Sequence, residues 1–207
     1  MYIPNNFKES DLQELLELIQ LNSLAAIVWQ GTDGITADHI PLFYEDNKLV
    51  GHVAKANPIC KELATQNVLV IFQGANSYIS PSWYPTKQED HKAVPTWNYA
   101  VVHIHGEIKL VTENSDKLRI LKKLTSIHEA SQETPWSMDD APADYIEKMM
   151  NGVIGIEIAI SKVEGKWKVS QNQPAKNKMG IVSSLQKLPD ENSAKMATLI
   201  KKRDSSL

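Results

Sequence analysis

The sequence of residues 35–54 is Ile35-Thr-Ala-Asp-His-Ile-Pro-Leu-Phe-Tyr-Glu-Asp-Asn-Lys-Leu-Val-Gly-His-Val-Ala54. Apolar and β-branched residues lie on both sides of Glu45-Asp-Asn47, and short polar residues of this kind are favoured in the turn of a β-hairpin. We therefore predict two antiparallel strands, Ile35–Tyr44 and Lys48–Ala54. Asn57 and Pro58 follow directly and are favoured at the first positions of a helix, so a short helix is predicted there.

Further strand-sized apolar segments lie on both sides of this hairpin. Strands are predicted over residues 24–29, 68–73, 78–80, 99–111 and 153–163, and the last is expected to form a hairpin with 166–170. Helical patterns are found from Ser10, over 115–130 and 139–150, and after Pro174. About seven meandering strands with interspersed helices predict an antiparallel α+β domain, which a small barrel would close without leaving edge strands. The sequence contains no glycine fingerprint of a dinucleotide-binding fold and no P-loop.

Composition limits the class of protein. Of 207 residues, 42% are hydrophobic and 23% are charged, which is typical of a globular protein. The single cysteine, Cys60, excludes an intramolecular disulfide and any multi-cysteine metal site, and it is expected to be a core residue. No apolar run approaches the roughly 18 residues of a membrane-spanning helix, and the first residues do not resemble a signal peptide. We expect a soluble, cytoplasmic protein with no membrane partner.

Charge is distributed unevenly along the chain. Residues 1–161 contain 12 Lys and Arg against 21 Asp and Glu, whereas residues 162–203 contain 10 against 3. A basic C-terminal segment of this kind is consistent with binding to DNA, to an acidic partner or to the acidic part of a second copy. A solvated, lysine-rich helix face is the simpler explanation.

The segment Gly51-His-Val-Ala-Lys-Ala-Asn-Pro58 is a candidate anion site. A strand brings Lys55 to the start of the predicted short helix, where free backbone N–H groups and the positive end of the helix dipole lie. An ammonium group at this place favours a phosphate. Lysines near helix starts are also common as solvated surface residues.

Aromatic residues are concentrated in one irregular region. Five of them fall within residues 78–99, namely Tyr78, Trp83, Tyr84, Trp97 and Tyr99. Ser80, Ser82, Thr96 and Asn98 lie between them and provide hydrogen-bonding groups. Aromatic walls with a few polar groups are typical of a pocket for a flat heterocycle. A hydrophobic cluster that fixes the loop, or a dimer interface, is an equally good interpretation.

Histidines give a weaker signal. His103 and His105 share one face of a predicted strand, and His52 or His128 would be needed to complete a metal site with them. The sequence supplies no convincing third ligand, so no metal is predicted and the roles of His103, His105 and His128 stay open.

Several of these segments together resemble the PaiB family of FMN-binding negative transcriptional regulators. The resemblance covers most of the chain. It is carried by Met1-Tyr-Ile-Pro4, Gly51–Pro58, Tyr78-Ile-Ser-Pro-Ser-Trp-Tyr84, Val94-Pro-Thr-Trp-Asn-Tyr99 and Lys168-Val-Ser-Gln-Asn172.

The resemblance implies an antiparallel FMN-binding split β-barrel with peripheral helices, assembled as a homodimer with flavin sites at the subunit interface. Residues 1–170 would form this domain, and residues 171–207 a basic helical extension packed on it. Lys55 would hold the FMN phosphate with Asn57 capping it, and His52, Val53 and Ala54 would run beside the flavin. Ser80 and the segment Thr96, Trp97, Asn98 and Tyr99 would line the same site.

Three functions are consistent with the sequence. The first is an FMN-binding protein of the PaiB type that acts as a negative transcriptional regulator and binds DNA. The second is a flavin-dependent oxidoreductase acting on a small molecule, in which FMN carries the electrons. The third is a flavin-free binding module whose aromatic pocket takes another heterocycle, or whose histidines hold a metal.

Overall fold

A computed structural model describes residues 1–62 and 66–203, except for the side chain of Asp90. In this part of the chain the architecture is mixed α+β. The strands are Lys8–Glu9 (β1), Leu24–Gly31 (β2), Gly34–Glu45 (β3), Lys48–Ala54 (β4), Gln66–Ile79 (β5), Thr96–Val111 (β6) and Val153–Lys168 (β7). The α-helices are Leu12–Leu21 (α1), Ile59–Glu62 (α2), Lys87–Asp90 (α3), Asn114–Glu129 (α4), Ala143–Met150 (α5), Ala175–Leu185 (α6) and Glu191–Lys202 (α7). Single turns of 3-10 helix span Asn5–Phe7, Pro81–Trp83 and Met138–Asp140.

The strands form one seven-stranded sheet in the order β1-β7-β4-β3-β2-β5-β6. Strand β7 also pairs with β6, so the sheet is a partly closed ring. The pairs of β1 with β7, β2 with β3 and β5, and β4 with β3 and β7 are all antiparallel. The predicted antiparallel α+β class is therefore confirmed.

The hairpin predicted around Glu45-Asp-Asn47 is confirmed. Glu45 pairs directly with Lys48, which leaves Asp46 and Asn47 as a two-residue turn. Both turn residues have positive φ angles, 49° and 60°. Asp and Asn tolerate this left-handed conformation better than other non-glycine residues, and a two-residue turn of this kind matches the twist of the flanking strands.

The hairpin predicted between residues 153–163 and 166–170 is wrong, because β7 runs without a break through Glu164-Gly165. The glycine is required by close packing and not by a turn. A Cβ atom on Gly165 would lie 2.3 Å from Leu15 Cδ2 and 2.9 Å from the carbonyl oxygen of Glu9. The segments predicted as separate strands at 68–73 and 78–80 are likewise parts of one strand, β5.

The chain divides into two compact units, each described here by itself. The first unit contains residues 1–18, 73–102 and 164–203, and the second contains residues 19–62, 66–72 and 103–163. The division into residues 1–170 and 171–207 stays a prediction, and its last four residues lie outside the described part of the chain. Helices α6 and α7, which belong to the predicted extension, are part of the first unit.

Each unit has its own apolar core. In the second unit, Phe43 and Val50 of the hairpin pack with Ile120 and Leu124 of α4, and all four are buried. In the first unit, α6 and α7 bury Ile181, Leu185, Met196 and Ile200. Apolar burial of this extent is the main source of stability for each unit.

Candidate functional site

Lys55 lies directly after β4 in the second unit, and its side chain is exposed. Its backbone N–H donates to the carbonyl oxygen of Gly152 at 2.8 Å, which fixes the direction of the chain as it leaves the strand. The ammonium group is therefore presented to solvent at the end of a rigid strand. This agrees with the position predicted from the sequence.

Asn57 caps the short helix that follows, as predicted. Its Oδ1 accepts from the backbone N–H of Ile59 at 2.9 Å, and its Nδ2 donates to Asp38 Oδ1 at 2.9 Å. The other carboxylate oxygen of Asp38 accepts from Trp29 Nε1 at 2.7 Å. The amide of Asn57 is thus occupied by protein groups, and the described part of α2 contains four residues. Positive charge at this strand end comes from the Lys55 ammonium, and the role of Asn57 toward a phosphate stays a prediction.

Residues 52–54 alternate along β4. Val53 is 4% exposed and belongs to the core, whereas His52 is half-buried and Ala54 is exposed on the opposite face of the strand. His52 Nδ1 is buried and makes no hydrogen bond with any of the residues that the structure describes. Burial lowers the pKa of His52, which favours the neutral imidazole. A buried polar atom without a partner is rare in folded proteins and marks a place where a ligand could supply one.

The first unit contains a cavity of about 440 Å³. Two residues of the predicted site, Thr96 and Asn98, line it. The complete lining is Phe7, Tyr84, Thr86, Lys92, Ala93, Val94, Thr96, Asn98, Lys168, Ser170, Asn172, Gln173, Pro174 and Asn177. Among the side chains that the structure describes, this lining includes two lysines and no aspartate or glutamate, and it is rich in amides.

Three other residues of the predicted site make structural contacts in the same unit. Trp97 is half-exposed, stacks edge-to-face on Tyr78 with ring centroids 6.0 Å apart, and donates from Nε1 to Asn76 Oδ1 at 3.2 Å. The ring of Tyr99 lies 5.2 Å from the ammonium nitrogen of Lys166. The hydroxyl of Ser80 caps the Pro81–Trp83 turn by accepting from the backbone N–H of Ser82 at 3.2 Å.

Lys168 lines the cavity but is absent from the site predicted from the sequence. Its ammonium donates to Thr96 Oγ1 and, at 2.6 Å, to the carbonyl oxygen of Trp97. Burial and the nearby charge of Lys166 lower the pKa of Lys168. The sequence does contain one indication of this site. Lys166 and Lys168 are two residues apart, and residues two apart on a strand share one face, so their charges are expected to lie on the same side of β7. Lys166 is buried and Lys168 is partly buried, and lysines are seldom buried in proteins.

Buried polar side chains form the walls of this cavity. Asn98 Nδ2 donates to Ser170 Oγ at 2.8 Å, and these residues are 1% and 4% exposed. Asn177, which is 3% exposed, donates from Nδ2 to Thr86 Oγ1 and to Gln173 Oε1, both at 3.0 Å. These bonds hold the polar lining in place before any ligand enters.

The remaining candidates make no comparable site. Among the described residues, no group of three or more His, Cys, Asp or Glu is placed to hold a metal ion. The carbonyl oxygen of His105 accepts from Ser161 Oγ at 3.0 Å, and His128 is exposed in the last turn of α4. Cys60 is partly buried, and burial raises the pKa of its thiol, which disfavours the reactive thiolate.

Three basic residues at the C-terminal end of the first unit are paired with acidic side chains of the same unit. Lys195 pairs with Glu191 at 2.7 Å, and Lys202 pairs with Glu14 at 2.9 Å and Glu17 at 2.8 Å. Arg203 pairs with Glu9 and Glu14. In the described part of the chain, no helix is both long and apolar enough to cross a membrane.

Sequence comparison identifies the family. Residues 1–162 match the family described as "Putative FMN-binding domain". The chain is 30% identical over 205 residues to the protease synthase and sporulation protein PAI 2 of Bacillus subtilis, with 97% of this chain and 96% of that protein covered. It is also 28% identical to an uncharacterised protein of Emericella nidulans, with 98% of this chain and 97% of that protein covered.

Solved structures with a similar fold include flavoproteins. The flavocytochrome Anf3 of Azotobacter vinelandii matches 78% of this chain and 69% of its own with a TM-score of 0.61 at 12% identity. An FAD- and heme-binding protein of Mycobacterium smegmatis matches 78% and 73% with a TM-score of 0.58 at 14% identity. These likenesses show the fold, and the predicted split-barrel class is confirmed.

The residues present fit a flavin mononucleotide, which has an anionic phosphate, a hydroxylated chain and a flat ring with polar edges. In the second unit, Lys55 provides an exposed cation, and the buried Nδ1 of His52 provides an unpartnered polar atom. In the first unit, the cavity volume of about 440 Å³ lies within the range of ligand pockets, and Thr96, Asn98 and Lys168 line it. The cofactor predicted from the resemblance, FMN, is confirmed by the family match. The match over residues 1–162 and the identity along almost the whole Bacillus subtilis relative show that this chain belongs to the PaiB family of FMN-binding proteins.

Proposed function

We propose that this protein binds FMN with the Lys55 ammonium as its phosphate-binding cation, and that it acts as a negative transcriptional regulator. The observation that carries the proposal is the exposed Lys55 at the rigid end of β4, three residues after the unpartnered Nδ1 of His52. A phosphate is held most strongly by cations and charge-assisted hydrogen bonds. His52 and Ala54 share one face of β4, and we propose that this face lies along the flavin.

FMN would supply redox chemistry when bound, and the chain's own residues would bind and orient it. Thr96 and Asn98 are proposed to contact the flavin through the polar groups with which they line the cavity of the first unit. Ser80, Trp97 and Tyr99 are weaker candidates, since their described contacts are to Ser82, to Tyr78 and Asn76, and to Lys166, respectively.

The regulatory role is supported by the family and by the name of the Bacillus subtilis relative, which refers to protease synthesis and sporulation. We propose that the protein acts in the cytoplasm as a homodimer with DNA as its partner. Exposed apolar side chains such as Ile35, which is 78% exposed, and Val94, which is 75% exposed, are suitable for burial against a second copy. Because Lys202 and Arg203 are paired with acidic side chains, we expect the affinity for DNA through this segment to be weak.

The direct test is the visible absorption spectrum of freshly purified protein, with the released small molecule identified by mass. A flavin spectrum with FMN released supports the proposal. A colourless protein whose tryptophan fluorescence does not change with micromolar FMN contradicts it, and would favour a flavin-free binding module. A gel-shift assay at low and high salt tests the DNA partner, because phosphate contacts weaken steeply with salt.

A flavin-dependent oxidoreductase is the second candidate function. It is favoured by the cavity of the first unit, which is large enough for a small substrate and has polar groups in fixed positions. Reduction of the bound flavin by NADH or NADPH, followed by reoxidation with a small-molecule acceptor, would support it. Flavin that neither nucleotide reduces, and that oxidises no reduced small molecule, would contradict it.

A further inference from the structure

We propose that the cavity of the first unit is an oxyanion-binding site, in which Lys168 is the cation that holds a phosphate or carboxylate group of a small molecule. The proposal concerns a different cation, in a different unit, from Lys55, and it rests on the proposed function only in that Thr96 and Asn98 line the same cavity.

The charge of the lining favours an anion. Lys92 and Lys168 line the cavity, together with four side-chain amides and three hydroxyl-bearing Ser or Thr residues, and none of the lining side chains that the structure describes is a carboxylate. A cavity with this lining attracts a negative charge and also provides donors for the oxygens that carry it. Its volume of about 440 Å³ is sufficient for a small metabolite.

Lys168 is positioned for such a ligand. An ammonium group has three N–H donors, and two partners of Lys168 are Thr96 Oγ1 and the carbonyl oxygen of Trp97. Both are neutral oxygens, so neither of these two partners neutralises the positive charge of the ammonium group. Burial and the charge of Lys166 lower the pKa of Lys168, so its ammonium form is less favoured than that of a fully solvated lysine. An incoming oxyanion would compensate that charge and form a charge-assisted hydrogen bond.

The polar residues that line the site are preorganised by hydrogen bonds to one another. Asn98, Ser170 and Asn177 are all at least nine-tenths buried, and each is hydrogen-bonded to another lining residue. Ser170 has a φ of 64°, a left-handed conformation that costs energy in a residue other than glycine. Non-glycine residues held in this conformation concentrate at ligand-binding sites.

The experiment is calorimetric titration of the full chain with inorganic phosphate in a phosphate-free buffer. We expect wild-type protein to bind phosphate and Lys168→Ala to bind it at least about tenfold more weakly, since a hydrogen bond to a charged group is lost. Lys168→Arg keeps the charge and should retain most of the affinity. The control is Lys176→Ala, which removes a surface lysine paired with Glu89 and should change nothing.

A second variant protects the test against misfolding of Lys168→Ala. Asn172 is an exposed lining residue, so Asn172→Asp adds a negative charge to the cavity with almost no change of shape. It should weaken phosphate binding several-fold, whereas Asn192→Asp on the exposed surface of α7 should not. If folded Lys168→Ala and Asn172→Asp proteins bind both phosphate and FMN as wild type does, the proposal is overturned.

Repeating the titration in the presence of flavins shows whether the bound oxyanion is a separate small anion or the phosphate group of FMN. If phosphate binds equally well to FMN-saturated protein, the site takes a separate small anion. If FMN displaces phosphate and riboflavin does not, and Lys168→Ala weakens FMN as well, the oxyanion is the phosphate of FMN itself. In that case Lys55→Ala should leave FMN affinity unchanged, so failure of the Lys55 proposal is distinguishable from failure of this one.

Discussion

The side-chain amide of Asn98 donates a hydrogen bond of 2.8 Å to the hydroxyl oxygen of Ser170, and both side chains are buried. Asn98 lies near the start of β6, and Ser170 lies two residues beyond the end of β7. The bond fixes Ser170 in its left-handed conformation at the wall of the cavity. Loss of this bond is therefore expected both to destabilise the first unit and to change the shape of its candidate binding site.

Asn98→Ala tests this relationship. Removing the amide leaves the buried hydroxyl of Ser170 without this partner, so the free energy of unfolding should fall by about 1–3 kcal/mol. Urea denaturation measures the change. The matched control is Asn76→Ala, which removes a solvent-exposed hydrogen bond to Trp97 and should cost less than Asn98→Ala. Equal losses for the two variants would contradict the structural role of the buried bond.

Gly165→Ala tests the reason for a glycine inside β7. The added methyl group would overlap Leu15 Cδ2 and crowd the carbonyl oxygen of Glu9, so we expect destabilisation of about 1–3 kcal/mol. Thermal and urea unfolding provide the measurement, with Val163→Ala at an exposed position of the same strand as control. If Gly165→Ala is as stable as the control, the close approach does not explain this glycine.

The fold could be predicted from the sequence where local signals agree. The Asp46-Asn47 turn, the helix over residues 115–130 and the Asn57 cap each have a specific local cause, and the structure contains all three. The continuous course of β7 could not be predicted, because a glycine next to charged residues has the same local pattern whether it forms a turn or allows close packing. Only the tertiary neighbours of Gly165, Leu15 and Glu9, distinguish the two cases.

The pKa of His52 predicts a pH dependence of stability. Burial lowers this pKa below its ordinary value of 6.5 in the folded protein, so the unfolded chain binds the proton more readily. Stability should therefore decrease as the pH falls from about 6.5 toward the folded pKa and be fully present above this range. Urea unfolding at several pH values should show a smaller decrease for His52→Gln. His128→Gln, which changes an exposed histidine, should follow wild type, and the same pH profile for all three proteins would contradict the prediction.

The ion pairs of α7 lead to a prediction about the affinity of the protein for DNA. Lys202 pairs with Glu14 and Glu17, and the hydrogen bonds that its ammonium group donates to these carboxylates raise the pKa of Lys202. The double variant Glu14→Gln and Glu17→Gln should release the lysine and strengthen binding to a DNA duplex at low salt by several-fold. Fluorescence anisotropy measures this binding. Glu107→Gln and Glu113→Gln, two exposed positions in the other unit, form the control. No gain over this control would show that the pairs do not limit DNA binding.

The candidate site was only partly predictable. Lys55 could be predicted as an anion-binding residue because it lies between a strand and the start of a helix. Thr96 and Asn98 could be predicted as pocket residues because they are polar residues between aromatic ones. Lys168 could not be predicted as a site residue from local sequence. Its place in the cavity depends on residues far away in the sequence, such as Thr86, which also lines it. The pairing of Lys202 with α1 also could not be predicted, since composition gives the charge of a segment and not its partners.

Titration of cofactor-free protein with FMN, followed by fluorescence quenching, tests the central claim most directly. Lys55→Ala should weaken FMN binding about tenfold or more, because the phosphate loses a charged partner. Lys61→Ala, which removes an exposed lysine from the neighbouring helix α2, should bind as wild type does, and riboflavin should bind both variants equally. If Lys55→Ala binds FMN with wild-type affinity, the phosphate is not held at the end of β4 and the account is contradicted.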